Sequence, residues 1–162
     1  MNLANLNIFN HLTPELSTFL IAMIPIGELR VAIPIALTIY HLPPLKAFIW
    51  SVLGNLVPGF IILWLLEPLI SFLEKHFYLL NRFFVWLFER TRKKHSQKFE
   101  YWGALALVTF VAIPLPMTGV WSGAVAAFVF GIPYKKSFLM ISLGAMIAGI
   151  IVTLASLGIL KI

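Results

Sequence analysis

The sequence predicts an all-α polytopic membrane protein with two inverted repeats. Each repeat is a re-entrant helical hairpin followed by a transmembrane helix, and an amphipathic cytoplasmic helix joins the two. Three observations lead there: an apolar composition, two long apolar stretches broken near their middles, and a repeat at a spacing of 90 residues.

Of the 162 residues 60% are hydrophobic and only 11% are charged, against about 25% charged in a soluble domain. The mean hydropathy of +0.96 argues against a soluble enzyme, a nucleic-acid-binding module and a disordered chain. At 18.2 kDa there is no room for a second sizeable domain. Residues 1–162 are therefore read as one membrane domain: repeat one over about 12–66, a linker over 67–102, and repeat two over about 103–160. The chain has no Cys, which excludes disulfides and thiolate metal sites. The first twenty residues carry no basic region and no cleavage signature, so the first apolar segment is expected to remain in the mature protein.

The first stretch runs from about Pro14 to Leu42 and is interrupted at Pro25-Ile-Gly-Glu-Leu-Arg30. Proline removes a backbone donor and glycine loosens the helix. The stretch is thus expected to be two half-helices of roughly 11–13 residues, each reaching only ~16–20 Å of a bilayer core ~30 Å thick. Pro34 lies within the second of them. The next stretch, Lys46 to Leu66, is an ordinary span, with Trp50 and Trp64 read as interface anchors. The third, Gly103 to Phe130, breaks again at Pro114-Leu-Pro-Met-Thr-Gly119, and Ser137 to Leu160 forms a second span.

Between the halves, Leu69, Phe72, Leu73, Phe77, Leu80, Phe84, Leu87 and Phe88 recur at helical spacings, with charged residues on another face. An interfacial helix is expected there. Oligomer contact, such as a homodimer, is the rival reading of its apolar face. Seven of the twelve basic residues fall between Lys75 and Lys98, as expected of a cytoplasmic loop. Arg90, Arg92, Lys93 and Lys94 are also expected to meet anionic lipid head groups. No nucleic-acid partner is expected.

Shifted by 90 residues, Pro43, Lys46, Phe48, Leu53, Gly54, Gly59 and Ile61 fall on Pro133, Lys136, Phe138, Leu143, Gly144, Gly149 and Ile151. About two such matches would arise by chance, so the repeat is taken as genuine. With one residue of slippage Ile24-Pro25 falls on Ile113-Pro114.

Counting charges separates two topologies. If each broken stretch is a hairpin, the seven linker cations plus Lys135 and Lys136 share one face, against Lys46 and Lys161 on the other. If each crosses as a kinked helix, the count is eight against three. The hairpin arrangement is preferred, with the linker and loop 131–136 cytoplasmic and both termini outside. It makes the repeats inverted, an organisation that in secondary transporters places binding where broken helices meet.

There is no Asp, and His11, His41, His76 and His95 show no metal-ligand spacing. Neither an enzyme nor a cofactor is expected. Glu28 and Arg30 stand out as charged residues inside the apolar stretches. An ionisable group at bilayer depth is costly and is usually paired or placed in a cavity. The two readings are a staple holding the hairpin tip, or a substrate and proton site in which Glu28 titrates and Arg30 holds an anionic group. The opposing tip offers Pro114, Pro116, Thr118, Gly119, Trp121, Ser122 and Gly123. Thr118 either contacts Glu28 or a ligand, or caps the returning half-helix; Ser122 is a second hydroxyl there. Gly119 and Gly123 read first as packing positions, and Pro25 and Gly27 shape the first tip. Asn55, beside Gly54 and Pro58, is placed to hydrogen-bond to a hairpin.

The segments IPIGELRVAIPIAL (24–37), VAIPLPMTGVWSGAVAAFVFG (111–131) and KKSFLMISLGAMIAGIIVTLASLG (135–158) resemble the small multidrug export protein family. That family's pattern reads roughly E-L-R-x-A-I-P, then P-L-P-x-T-G-x-W-[ST]-G-A, and the resemblance covers about 20–160. Met117 stands where the family commonly has Gly. The resemblance implies efflux. The hairpin architecture also resembles DedA membrane proteins, which implies transport of lipid-linked phosphates of the polyprenyl type. The expected function is a small, proton-linked exporter of an amphipathic molecule. The alternatives are a DedA-like lipid-phosphate translocase and a non-transporting membrane scaffold.

Overall fold

A computed structural model describes residues 12–76, 97–115 and 118–160. Among them are six helices and no strand: α1 (Pro14–Ala22), α2 (Glu28–Thr38), α3 (Pro44–His76), α4 (Gln97–Ala112), α5 (Val120–Val129) and α6 (Tyr134–Leu160).

Local chemistry sets the ends of these helices. Thr13 is extended, its hydroxyl accepts from the Leu16 N–H at 3.4 Å, and Pro14 takes the first helical position. Pro25 disfavours helical backbone at Ile24, and α1 ends just before it. α2 closes with His41 in the left-handed region (φ 50°) and the Leu42 N–H bonded back to the Ala36 carbonyl at 2.9 Å. α5 closes in the same manner on Gly131 (φ 68°), with the Ile132 N–H on the Ala127 carbonyl at 3.0 Å. After each closure a proline carbonyl opens the next long helix: Pro43 accepts from Ala47 and Pro133 from Ser137. His41 with Gly131, Pro43 with Pro133 and Ala47 with Ser137 are each 90 residues apart, the spacing of the sequence repeat.

Two compact units divide the chain: Met1–Val57 with Ile147–Ile162, and Pro58–Met146. In the first, α1 packs on α2, and α1 also packs on the start of α3. A Cβ at Gly54 would overlap the Phe19 carbonyl oxygen and stand 2.9 Å from its carbon, so only glycine allows this approach. The Phe19 ring meets Trp50 edge-on at 6.4 Å. Trp50 is thus half-buried against α1, whereas Trp64 is exposed. The end of α6 reaches the same unit, where Phe48 lies 2.7 Å from a Cβ built at Gly149.

In the second unit α4 packs on α5. A Cβ at Gly144 on α6 would stand 2.7 Å from Val111 Cβ and 2.9 Å from the Val108 carbonyl oxygen. Phe60 on α3 meets Tyr134 and Phe138 of α6 edge-on at 6.0 and 5.9 Å.

Pro44–Leu66 and Tyr134–Ile159 are long and apolar enough to cross a bilayer, with mean hydropathies of 2.0 and 2.4. Their outward side chains, among them Ile61, Trp64, Leu154 and Ile159, are large and apolar. α1, α2 and α5, with 9, 11 and 10 residues, reach only ~14–17 Å.

The linker differs at its described ends from the separate helix over 67–102 that the sequence predicts. α3 continues past Leu66 to His76, carrying Pro58 and Pro68 in its interior, and α4 already begins at Gln97. A proline costs a helix one backbone bond without obliging it to stop. The centre of the linker, with Arg90, Arg92, Lys93 and Lys94, lies outside the described residues, as do Pro116 and the terminal residues 1–11 and 161–162.

Candidate functional site

The first break in helical structure delivers a carboxylate into the interior. Glu28 is the first residue of α2, and its φ of 49° is a left-handed backbone that non-glycine residues seldom adopt. Such strain concentrates where the surrounding structure needs the side chain in one place. Here that place is the protein interior, where Glu28 is only 6% exposed. The head of a helix, with its free N–H groups, favours negative charge at this point.

Across from it Asn55, on α3, is fully buried, and its Nδ2 donates to Glu28 Oε2 at 3.4 Å. Asn55 Oδ1 has no hydrogen-bond partner. Arg30 is half-buried, and its charge interacts with that of Glu28. Gly27 is tightly confined, because a Cβ there would stand 2.6 Å from Val31 Cγ2. Pro34 sits half-buried within α2, and Pro25 is exposed at the tip.

The same unit holds buried hydroxyls that the sequence did not single out. Ser51, one turn before Asn55, and Ser17 on α1 are both fully buried, and neither Oγ has a hydrogen-bond partner. Thr18 is buried too, but its hydroxyl is spent on the Pro14 carbonyl at 2.8 Å. At the outer end of α1, Lys46 Nζ donates to Glu15 Oε1 at 3.0 Å. The Glu15 carboxyl is held below its ordinary value, first by its own backbone amide and then by Lys46.

The second break is built differently. The Thr118 hydroxyl accepts from the Leu115 N–H at 3.2 Å and faces the Ile113 and Leu115 carbonyls at 2.7 and 2.8 Å. It ties the tip to itself. The N-cap of α5 is Gly119, which makes no side-chain cap bond and adopts φ 140°, a conformation open to glycine. Ser122 Oγ donates to the Gly119 carbonyl at 3.4 Å. Gly123 is a packing position, since a Cβ there would stand 2.6 Å from Val111 Cγ2. Trp121 is half-buried on the first turn of α5, and Pro114 is exposed. The fold therefore gathers Glu28, Arg30 and Asn55 in one unit, while Thr118 and Ser122 bond to the backbone of their own tip in the other. Among the described residues no group of three or more His, Asp or Glu side chains could hold a metal ion.

The described residues form helices and no strand, and two of those helices are long and apolar enough to cross a bilayer, which fits the membrane-protein class. Residues 28–151 match the family described as "Putative small multi-drug export protein", and the chain belongs to that family. The family's name places it among transporter-type membrane proteins. A search of curated proteins and a search of solved structures each returned no match.

Proposed function

We propose that this chain is a small proton-linked exporter of an amphipathic molecule, with Glu28 as the titrating group and Arg30 as the anchor for an anionic part of the cargo. The observation that carries this reading is the Glu28–Asn55 pair: a carboxylate 6% exposed, on strained backbone, bonded to a buried amide. A carboxylate held only to staple a tip would be cheaper as a neutral side chain, whereas one that gains and loses a proton must remain ionisable. In the proposed arrangement α1–α2 and α4–α5 are re-entrant hairpins entering from opposite faces. Three of these four helices are too short to cross, and the matched closures at His41 and Gly131 support a common repeat plan. The linker and the loop 131–136 then lie in the cytoplasm.

The test is transport in proteoliposomes across a pH series. Glu28→Gln keeps the size and removes the titration, so flux should lose its pH dependence while the chain still folds. Arg30→Lys keeps the charge but loses the planar fork, and should weaken transport of a phosphate- or carboxylate-bearing cargo. If both variants fold and transport like the unaltered chain at every pH, the pair is a structural staple.

A further inference from the structure

Asn55 meets Glu28 with one end of its amide, while the other end is unmet. The residue is fully buried on α3, Nδ2 donates to Glu28 Oε2 at 3.4 Å, and Oδ1 has no hydrogen-bond partner. A buried acceptor left without a donor is uncommon and costly, and it calls for a physical reason. No donor holds Oδ1 in place, so the bond to Glu28 sets which way the amide faces.

The orientation in place suits a charged carboxylate. When ionised, Glu28 only accepts, and Nδ2 only donates. When protonated, Glu28 carries an O–H, which at 6% exposure needs an acceptor. Arg30, the charged group that interacts with it on α2, is a cation and can only donate. Asn55 Oδ1 is an acceptor without a donor, on the same amide that already touches the carboxyl group. A half-turn about the last side-chain bond of asparagine exchanges Nδ2 with Oδ1. That torsion is broad and roughly two-fold, so both settings are allowed. The two ends of a primary amide are also close in size, so the exchange needs no cavity. Without the turn, Oδ1 stays unmet in both protonation states, and Nδ2 faces a group that now has a hydrogen to give. With the turn, the carboxyl hydrogen and Oδ1 meet each other, and the amino end takes the unbonded side.

We propose that Asn55 is a positioning residue whose amide turns with the charge of Glu28: Nδ2 donates to the carboxylate, and after protonation Oδ1 accepts from the carboxyl hydroxyl. The inference rests on Glu28 being the titrating group of the proposed function. Asn55 neither gains nor loses a proton, and the proton that arrives stays on Glu28 in an O–H···Oδ1 bond. The start of α2 therefore remains bonded to α3 in both states, and the site changes charge without undocking the first hairpin. The other charged and titratable groups of this unit stand apart from the pair. Glu15 on α1 bonds Lys46, ~13 Å along α3 from Asn55. Tyr40 and His41 follow the far end of α2, and residues 147–160 of α6 carry no such group.

The experiment is infrared difference spectroscopy across a pH series, on the full chain in lipid nanodiscs with asparagine isotope-labelled at its side-chain carbonyl. Loss in Glu28→Gln identifies the Glu28 carboxyl band, and loss in Asn55→Leu identifies the Asn55 carbonyl band. As Glu28 protonates, the Asn55 band should move to lower wavenumber with the same midpoint, because a carbonyl that accepts a hydrogen bond is weakened. In Glu28→Gln the Asn55 band should stay where it is at every pH. An amide that only staples α2 to α3 would keep its orientation and its band. An Asn55 band that does not move while the Glu28 band titrates thus overturns the turn and leaves the proposed function standing. A Glu28 band that never titrates overturns both. Should Asn55→Leu not fold, the Asn55 band is the labelled one whose pH response disappears in Glu28→Gln, and labelled bands that show no such response overturn the turn.

Discussion

Gly54→Ala tests the contact on which the site depends. A Cβ at this position would overlap the Phe19 carbonyl oxygen and lie 2.9 and 3.0 Å from that residue's carbonyl carbon and Cα. All three atoms are backbone, so no rotamer change relieves the clash and α1 itself must move. Overpacking of this kind costs about 1–3 kcal/mol, and a contact made wholly with backbone belongs at the upper end. Replacing glycine by alanine inside a helix returns up to about 1 kcal/mol. The net expectation is a loss of about 2 kcal/mol, measured by reversible denaturant unfolding with tryptophan fluorescence, for which Trp50 against Phe19 is a local reporter. Two controls calibrate the result. Gly158→Ala has nothing within 4 Å and should be neutral or slightly stabilising. Gly144→Ala, the position 90 residues on, meets Val111 Cβ at 2.7 Å and the Val108 carbonyl at 2.9 Å and should lose a comparable amount. If Gly54→Ala unfolds no more easily than Gly158→Ala, α1 does not dock on α3 in this way.

Cysteines placed singly at Gln97 and Lys135 should be labelled from the same face and one at Leu42 from the other; labelling of 97 and 135 from opposite faces eliminates the paired hairpins. Neutralising Arg92, Lys93 and Lys94 together should weaken association with anionic vesicles by about 1 kcal/mol per residue, while unchanged binding would make the cluster a solvated loop. The Glu15–Lys46 bond should make stability depend on acid. Glu15 is lowered from its ordinary value of 4.5, so its contribution is fully present above that value and is lost as pH falls through the lowered one. The stability difference between the unaltered chain and Lys46→Met should accordingly vanish on acidification, and a difference that persists at the lowest pH would show the pair is not its source.

Parts of this structure were legible because a proline close to a glycine disfavours helical backbone twice over. Pro25 with Gly27, and Pro114 with Gly119, are such pairs, and both breaks fall there, whereas single prolines at 34, 58 and 68 are carried inside helices. For Asn55 the sequence suggested a hydrogen bond to a hairpin without naming the acceptor, which in the fold is Glu28 Oε2. Ser17 and Ser51 were not. A serine in an apolar helix ordinarily returns its proton to the carbonyl four residues back, and no one-dimensional pattern tells the serine that does so from the one that does not. The Glu15–Lys46 bond joins residues 31 apart and depends on the register of α1 against α3, which only the packing at Gly54 decides. The run of α3 to His76 goes beyond the apolar stretch, which ends at Leu66, and apolar patterning does not mark where a helix continues past its apolar part. Thr118 was recognised as a hydrogen-bonding residue of the second tip, but its partners are backbone groups whose position follows from the turn itself.

The 90-residue repeat keeps packing positions and changes polar ones. Under the 90-residue shift the glycine contacts survive, Gly54 on Phe19 and Gly144 on Val108 and Val111, and so do the left-handed closures at His41 and Gly131. The polar residues of the candidate site do not survive. Asn55 falls on Ala145, which is fully buried. Ser51 falls on Ile141, fully buried and without a hydrogen-bonding group. α6 thus carries apolar side chains at 141 and 145 where α3 carries Ser51 and Asn55. If the first half alone titrates, introducing Asn at Ala145 should cost stability, because a buried amide there would find no carboxylate to meet, and it should leave the pH dependence of transport unchanged. A gain of pH response in Ala145→Asn would mean that the second half retains the chemistry that its residues have been read as lacking.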